Sequence, residues 1–412
     1  MTVLEVVQRR VLRVLATAQV LGAAGVTIGL ALSTLIAAAL ADSDLVGGLA
    51  QTAAVLGAAA FALPAARLAA RSGRRPALVL GYGVGAAGAV VAAGAVVLGS
   101  WHLLLGALVL FGAASGANLA ARYAGADLAH PHRRARSVAL VVWAATAGAV
   151  LGPNLADPAG RVAALLGLPV GAGPYLLSAV LFGLAAVVVL LFLRPDPLTV
   201  ARSAAEPARD RAREVGDRRG AAALWRSLTP GARLALSGVA LCHTAMVGLM
   251  SMTPVHMDHA GSSLRVVGLV ISAHVAAMYV AGPLFGWMAD ELGRVPVLTI
   301  GVALVVAASG IAGMAPPHDA PQLAAGLALL GFGWSAGLVA GSALLTESVP
   351  AVDRPAAQGL SDLCMNAGGA VGGVAAGLVV STWSYGALGL LVGFTALPLL
   401  VACLFSSSQR VG

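Results

Sequence analysis

Twelve apolar runs follow one another along the 412 residues, at 12–40, 46–66, 77–98, 103–125, 137–156, 172–193, 234–255, 264–288, 295–314, 321–345, 357–380 and 385–405. Glycine, proline or clustered charge separates each run from the next. A helix rises about 1.5 Å per residue, so each run can cross the roughly 30 Å of hydrocarbon in a bilayer. With 59% hydrophobic residues, 10% charged residues and a mean hydropathy of +0.91, the chain has too much apolar surface for a globular interior. The expected fold class is an all-α membrane protein with twelve transmembrane helices. The 52 glycines fit that reading, because small residues let helices approach closely in lipid.

Charge sets the orientation. All 25 basic residues are arginine, and the net charge is +8. The arginines are not spread as a nucleic-acid face would need; they cluster in short loops. Arg9, Arg10 and Arg13 precede span 1, Arg71, Arg74 and Arg75 follow span 2, and Arg133, Arg134 and Arg136 follow span 4. Arg294, Arg354 and Arg410 mark later loops on the same side. The opposite side has Arg161 and Arg265 beside Asp42, Asp44, Asp157, Asp258 and Asp319. Arginine-rich loops are retained in the cytoplasm, which predicts a plasma (inner) membrane protein with both termini cytoplasmic and no nucleic-acid partner. The N-terminal stretch "MTVLEVVQRRVLRVL" has no small-residue cleavage site and reads as a short cytoplasmic lead into span 1. Cys242, Cys364 and Cys403 all fall in apolar segments, with no CxxC pair.

One long polar segment, 194–233, carries nine arginines against five acids and has "RDRAREVGDRRG" at its centre. It divides the chain into an N-terminal six-helix half (1–193) and a C-terminal six-helix half (234–412). This cytoplasmic Arg-rich loop reads either as a solvated linker touching anionic lipid or as a regulatory arm. An internal repeat supports two pseudo-symmetric halves. "RSGRRPAL" (71–78) aligns with "ELGRVPVL" (291–298) at an offset of 220 residues, pairing Gly73 with Gly293 and Arg74 with Arg294. The same offset carries Gly148 onto Gly368 and Gly152 onto Gly372. Parallel six-helix repeats of this kind build many secondary transporters.

These loops resemble the signature of the major facilitator superfamily, Gly-x-Leu-Ala-Asp-Arg-x-Gly-Arg, after spans 2 and 8. "GWMADELGR" (286–294) matches with Asp290, Gly293 and Arg294 in place, while "ARLAARSGR" (66–74) has Ala66 for the glycine and Ala70 for the aspartate. The resemblance implies the major facilitator fold. It also implies alternating access, a gating clasp at Arg71, Gly73, Arg74, Asp290, Gly293 and Arg294, and function as a monomer. "GAVLGPN" (148–154) in span 5 resembles the antiporter motif of drug–proton exchangers through Gly148, Gly152 and Pro153. Physically, GxxxGP gives close helix contact and a kink, so Gly148, Gly152, Pro153, Gly368 and Gly372 are expected hinge positions.

The unusual chemistry lies in "HTAMVGLMSMTPVHM" (243–257) and the helix after it. Residues 243–278 hold five of the nine methionines and four of the eight histidines. His243, Met246 and Met250 share one face of span 7, and His274 and Met278 share one face of span 8. If the two helices are neighbours, Met246, Met250, His274 and Met278 form a short ladder across the midplane. Thioether and imidazole ligands select a soft cation, above all Cu⁺. With neutral ligands the ion keeps its charge, and a negative-inside potential draws it inward at about 2.3 kcal/mol per 100 mV. The other reading of a methionine stripe is core packing. The MxxxM of span 7 and HxxxM of span 8 resemble the CcoA-like copper importers of the superfamily, which implies copper as the transported substrate rather than a resident cofactor. His243 is a candidate accessory ligand, as are His256, Met257 and His259 at the entrance.

The alternative is a proton-coupled multidrug or metabolite antiporter, with Asn118, Arg122, Tyr123, Trp143, Thr146 and Asn154 lining a cavity for an organic molecule. Against it, no acidic residue lies at the middle of a span; Asp362 sits about two turns into span 11, and Asp127, Asp157 and Asp290 lie at helix ends. No catalytic constellation is visible, so the chain does not read as an enzyme. The expected partners are the bilayer and a small solute or metal ion.

Overall fold

The computed structural model describes residues 3–203, 221–258, 261 and 264–408, and the readings placed on 209–220, His259 and Arg410 lie outside them, as do the side chains of Asp44, Pro153, Asp258 and Arg265. All regular structure among the described residues is helical. Among the described residues twelve helices are long and apolar enough to cross a membrane, so the chain is a multi-pass membrane protein. In chain order they are α1 (Val3–Ala31, resuming as Ser33–Ala41), α2 (Asp44–Ser72), α3 (Arg74–Val97), α4 (Trp101–Ala126), α5 (Arg134–Leu165) and α6 (Ala172–Phe192). The second set is α7 (Pro230–Asp258), α8 (Leu264–Val280, resuming as Gly282–Glu291), α9 (Arg294–Gly313), α10 (Ala320–Ser348), α11 (Arg354–Thr382) and α12 (Tyr385–Ser408).

Local chemistry explains most boundaries. Gly73 at φ 95° and Gly293 at φ 99° turn the chain between α2 and α3 and between α8 and α9, in backbone regions that a β-carbon strains. Asp319 caps α10 by accepting from the Gln322 amide at 3.0 Å, with Pro321 in the first turn where its missing N–H costs nothing. α8 breaks at Ala281 because Pro283 cannot donate to the carbonyl four residues back.

Several boundaries differ from the sequence reading, three of them instructively. The N-terminal lead is helical from Val3 and continuous with α1. α5 continues beyond 156 to Leu165. α7 runs through Pro254 to Asp258, with Thr253 Oγ1 donating to the Leu249 carbonyl at 2.8 Å. In each case helix propensity outlasts the apolar run that marks the span.

The contacts divide the chain into two compact units: Met1–Ala129 with Ala144–Leu224 and Pro350–Leu363, and His130–Trp143 with Trp225–Val349 and Cys364–Gly412. In the first, α3 packs on α4 and α6, α2 on α4, and α1 on α6. In the second, α9 packs on α10 and α12, α8 on α10, and α7 on α10 and α12. The repeat thus recurs in the packing. Gly148 and Gly152 press on Ala24 and Thr27 of α1, and Gly368 and Gly372 press on Thr244 of α7, which is Ala24 displaced by 220 residues. A β-carbon at Gly148, Gly152, Gly368 or Gly372 would collide with those neighbours.

The central segment is not solvated throughout. Residues Pro197–Ser203 form a short helix with Pro197 and Leu198 buried, and Ala221–Ser227 form another. The first of these, called the strap below, is fixed at its start by Asp196. That carboxylate accepts from the Leu198 amide at 3.0 Å and from the Arg75 amide of α3 at 2.7 Å.

Candidate gating and solute site

Each unit carries an arginine–carboxylate clasp beside its own arginine-rich loop. In the first, Arg74 at the start of α3 donates to Asp127, after α4, at 2.7 and 3.2 Å, and to the Gln358 side chain of α11. In the second, Arg294 at the start of α9 reaches Glu347, at the end of α10, at 2.8 Å, and donates to the Pro131 carbonyl ahead of α5. Asp127 and Glu347 are themselves 220 residues apart, so the two clasps are one device built twice. Each recruits one helix from the other six-helix half: α11 in the first unit, α5 in the second.

The signature residues divide accordingly. Asp290 is buried and accepts from the Ala135 and Arg136 amides at the N-terminus of α5, at 3.1 and 3.0 Å, with the Arg294 guanidinium 3.1 Å away. A carboxylate there satisfies orphan helix donors and meets the positive end of the helix dipole. Arg74, Asp290 and Arg294 make these bonds, and Gly73 and Gly293 turn the chain just before the two arginines. Arg71 is exposed on the last turn of α2.

Beside the first clasp lies an ion pair that sequence reasoning had in pieces. Arg122 of α4 donates to Asp362 of α11 at 2.7 Å, with side-chain exposures of 1% and 6%. The guanidinium also bonds the Leu119 carbonyl and the Tyr123 hydroxyl, and sits 4.3 Å from the centre of the Tyr123 ring. Arg122 is thus engaged in tying α4 to α11, with Tyr123 supporting its guanidinium. Asn118 accepts from the Tyr82 hydroxyl at 2.8 Å, while Trp143 and Asn154 are exposed. The Thr146 hydroxyl and the Gln19 carbonyl oxygen are buried without a hydrogen-bond partner, and Gln19 was not singled out by the sequence.

The described candidate ligands, His243, Met246, Met250, His256, Met257, His274 and Met278, are all in the second unit. α7 and α8 have little contact with each other, and α10 packs along both. Consecutive helices need not be neighbours, so the condition for a four-ligand ladder is not met by simple adjacency. His274 is fully buried, and its Nδ1 lies 2.7 Å from the Leu327 carbonyl of α10. A carbonyl only accepts, so Nδ1 carries the proton and Nε2 keeps a lone pair with no partner. Met278 is buried one turn on, where Gly331 of α10 lies against the Met278 backbone. Met246 is buried and Met250 half-buried on α7.

His243 is held differently. Its Nδ1 accepts from the Trp334 indole N–H of α10 at 3.0 Å. Trp334 in turn meets Tyr279 of α8 edge-on, with ring centres 5.9 Å apart, and the His243 and Trp334 centres are 6.5 Å apart. Three rings from three helices thus form a row, and His243 and Tyr279 at its ends are half-buried. The sequence signal for this row was weak, because Trp334 and Tyr279 look like ordinary membrane aromatics. The entrance candidates are tied into structure: His256 stacks on Tyr385 at 4.4 Å and bonds the Ala315 carbonyl, and Met257 is fully buried. Among the described residues no three His, Cys, Asp or Glu side chains converge, so a metal path here would depend on thioethers.

Comparison with known proteins agrees with this architecture. The Major Facilitator Superfamily profile matches residues 14–264 and 235–411. The chain is 38% identical over 402 residues to the uncharacterized MFS-type transporter YdeG of Bacillus subtilis, covering 97% of this chain and 93% of the relative. It is 28% identical over 357 residues to the riboflavin transporter RfnT of Brucella anthropi, covering 87% and 85%. Its fold is similar to that of the human organic anion transporter MFSD10, with a TM-score of 0.76 at 19% identity, covering 96% of this chain and 99% of that one. Twelve spans, a twice-built clasp and relatedness along nearly the whole length lead to one assignment: the chain is a transporter of the major facilitator superfamily.

Proposed function

We propose that the chain is a secondary transporter working by alternating access in the plasma membrane, with the arginine-rich loops and both termini cytoplasmic, acting as a monomer on a small organic solute that carries a flat ring. The observation that carries the cargo class is the row of His243, Trp334 and Tyr279 from α7, α10 and α8. Aromatic side chains of this kind offer stacking faces worth about 0.5–1.5 kcal/mol per ring pair beyond burial. The bond from Trp334 to Nδ1 places the single ring proton of neutral His243 on Nε2. Relatedness to a riboflavin transporter points to the same class. In this reading the two clasps hold the cytoplasmic side shut and release it once per cycle, while the glycines that press α5 on α1 and α11 on α7 allow sliding.

Copper(I) import is the second reading, favoured by one observation: His274, whose Nδ1–H is fixed on a carbonyl and whose Nε2 is bare, has the arrangement of a ligand imidazole. Met278, Met246 and Met250 would complete a soft donor set once α7, α8 and α10 rearrange. Cu⁺ would here be cargo, drawn inward by the membrane potential.

Expression in a riboflavin-auxotrophic host without its own uptake system separates the two. The organic reading expects growth on micromolar riboflavin that Trp334→Ala abolishes and His274→Ala leaves intact. Growth that is absent, together with cellular copper that rises with the native chain and falls with His274→Ala, reverses the order of the readings.

A further inference from the structure

The first signature loop has Ala70 where the second has Asp290, and the structure shows what occupies the gap. In the second unit Asp290 joins the end of α8 to the start of α5 through two amides. In the first unit the corresponding pair is the end of α2 and the start of α11. No carboxylate is available at residue 70, yet a charged side chain spans that junction. Arg202, on the strap, donates from Nη1 to the Ala70 carbonyl at 2.7 Å and from Nη2 to the Val352 carbonyl at 3.4 Å. Ala70 is in the last turn of α2, where carbonyls have no intrahelical donors, and Val352 is two residues before α11 begins.

We propose that Arg202 is the positioning residue that replaces the missing aspartate, holding the start of α11 to the end of α2 and so completing the first clasp. The charge is inverted but the logic is the same. In the second unit an anion gathers helix N–H groups; in the first a cation gathers the Ala70 carbonyl at the negative end of α2 and the Val352 carbonyl of the turn ahead of α11. One planar guanidinium carries several donors in a fixed fork, so a single side chain can bridge two carbonyls. The strap is placed for this by Asp196, which ties its other end to the Arg75 amide of α3. Gly73 leaves the space that this carboxylate occupies, since a β-carbon there would stand 2.5–2.7 Å from the Asp196 carboxyl atoms. The central segment is therefore part of the gate and not only a tether between halves.

Hydrogen–deuterium exchange of the full-length protein in lipid nanodiscs tests this without any solute, so its result is independent of the cargo. The segment to follow is 354–363, with 134–143 of the Asp290 clasp as internal control. Arg202→Ala is expected to speed exchange in 354–363 about tenfold, the scale of one lost charge-assisted hydrogen bond, and to leave 134–143 unchanged. Arg202→Lys, which has no fork, is expected to fall between. Ala70→Asp added to Arg202→Ala is expected to restore slow exchange, because it rebuilds the arrangement of the second unit. Unchanged exchange in Arg202→Ala, equal acceleration of both segments, or no rescue by Asp at residue 70 would each overturn the proposal.

Discussion

Removing one member of the Arg122–Asp362 pair is expected to cost far more than removing both. The two side chains are almost wholly buried, and the guanidinium lies 2.7 Å from the carboxylate. A single substitution strands a charge in a poorly solvated interior, at a cost of about 3–5 kcal/mol, whereas replacing the pair with apolar residues of similar size is close to neutral. Asp362→Leu leaves Arg122 with the Leu119 carbonyl, the Tyr123 hydroxyl and the Tyr123 ring, so its cost falls at the low end. Arg122→Met takes the guanidinium from Asp362 and falls at the high end. For a chain of this size those costs correspond to roughly 3–6 °C in Tm. Tryptophan fluorescence during heating in nanodiscs reads the shift. Arg122→Met/Asp362→Leu is expected to recover most of the loss, within about 1 kcal/mol of the native chain. A double variant as unstable as the sum of the singles would refute the reasoning, because the two groups would then act separately.

Other predictions follow from the same contacts. Gly73→Ala and Gly293→Ala share the strain of a positive φ, but only the first drives a β-carbon into a carboxylate, since the nearest atom at Gly293 is 3.6 Å away. Thermal denaturation is expected to show Gly73→Ala as the worse by about 1–2 kcal/mol; equal losses would count against the Asp196 contact. Gly152→Leu is expected to abolish transport, because the added atoms collide with Thr27 of α1, whereas substitution at Gly94, which has nothing within 4 Å, is expected to leave uptake within about twofold of native. Arg294→Ala removes the bonds to Glu347 and to the Pro131 carbonyl together. Cysteine labelling at the start of α5 from the cytoplasmic side is expected to accelerate about tenfold, and unchanged labelling would exclude a clasp.

The sequence carried the architecture well because the bilayer allows few alternatives. A run of some 20 apolar residues has to be a helix, and twelve such runs recur in the structure. The 220-residue offset, first seen in the loops around Gly73 and Gly293, reappears where Ala24 and Thr244 take equivalent glycines and where Asp127 and Glu347 take equivalent arginines. That last pairing was legible too, had the offset been applied to acids near helix ends. Other features were not. The HxxxM and MxxxM spacings say which residues share a helix face, but not which helix that face meets; α10 comes between α7 and α8 through long-range packing. Arg122 and Asp362 stand 240 positions apart, with nothing local to pair them. Arg202 looked like one more charge in a polar segment, and only its two carbonyl partners distinguish it.

Counterflow by the purified full-length chain in proteoliposomes tests the central claim most directly, because it detects a carrier in either direction and needs no knowledge of the driving ion. Vesicles loaded with unlabelled riboflavin are expected to take up labelled riboflavin faster than empty ones, and Trp334→Ala is expected to remove the difference. Absence of counterflow, with Cu⁺ accumulating in the same vesicles and lost in His274→Ala, would contradict the flat-ring solute and make the bare imidazole nitrogen the working part of the site.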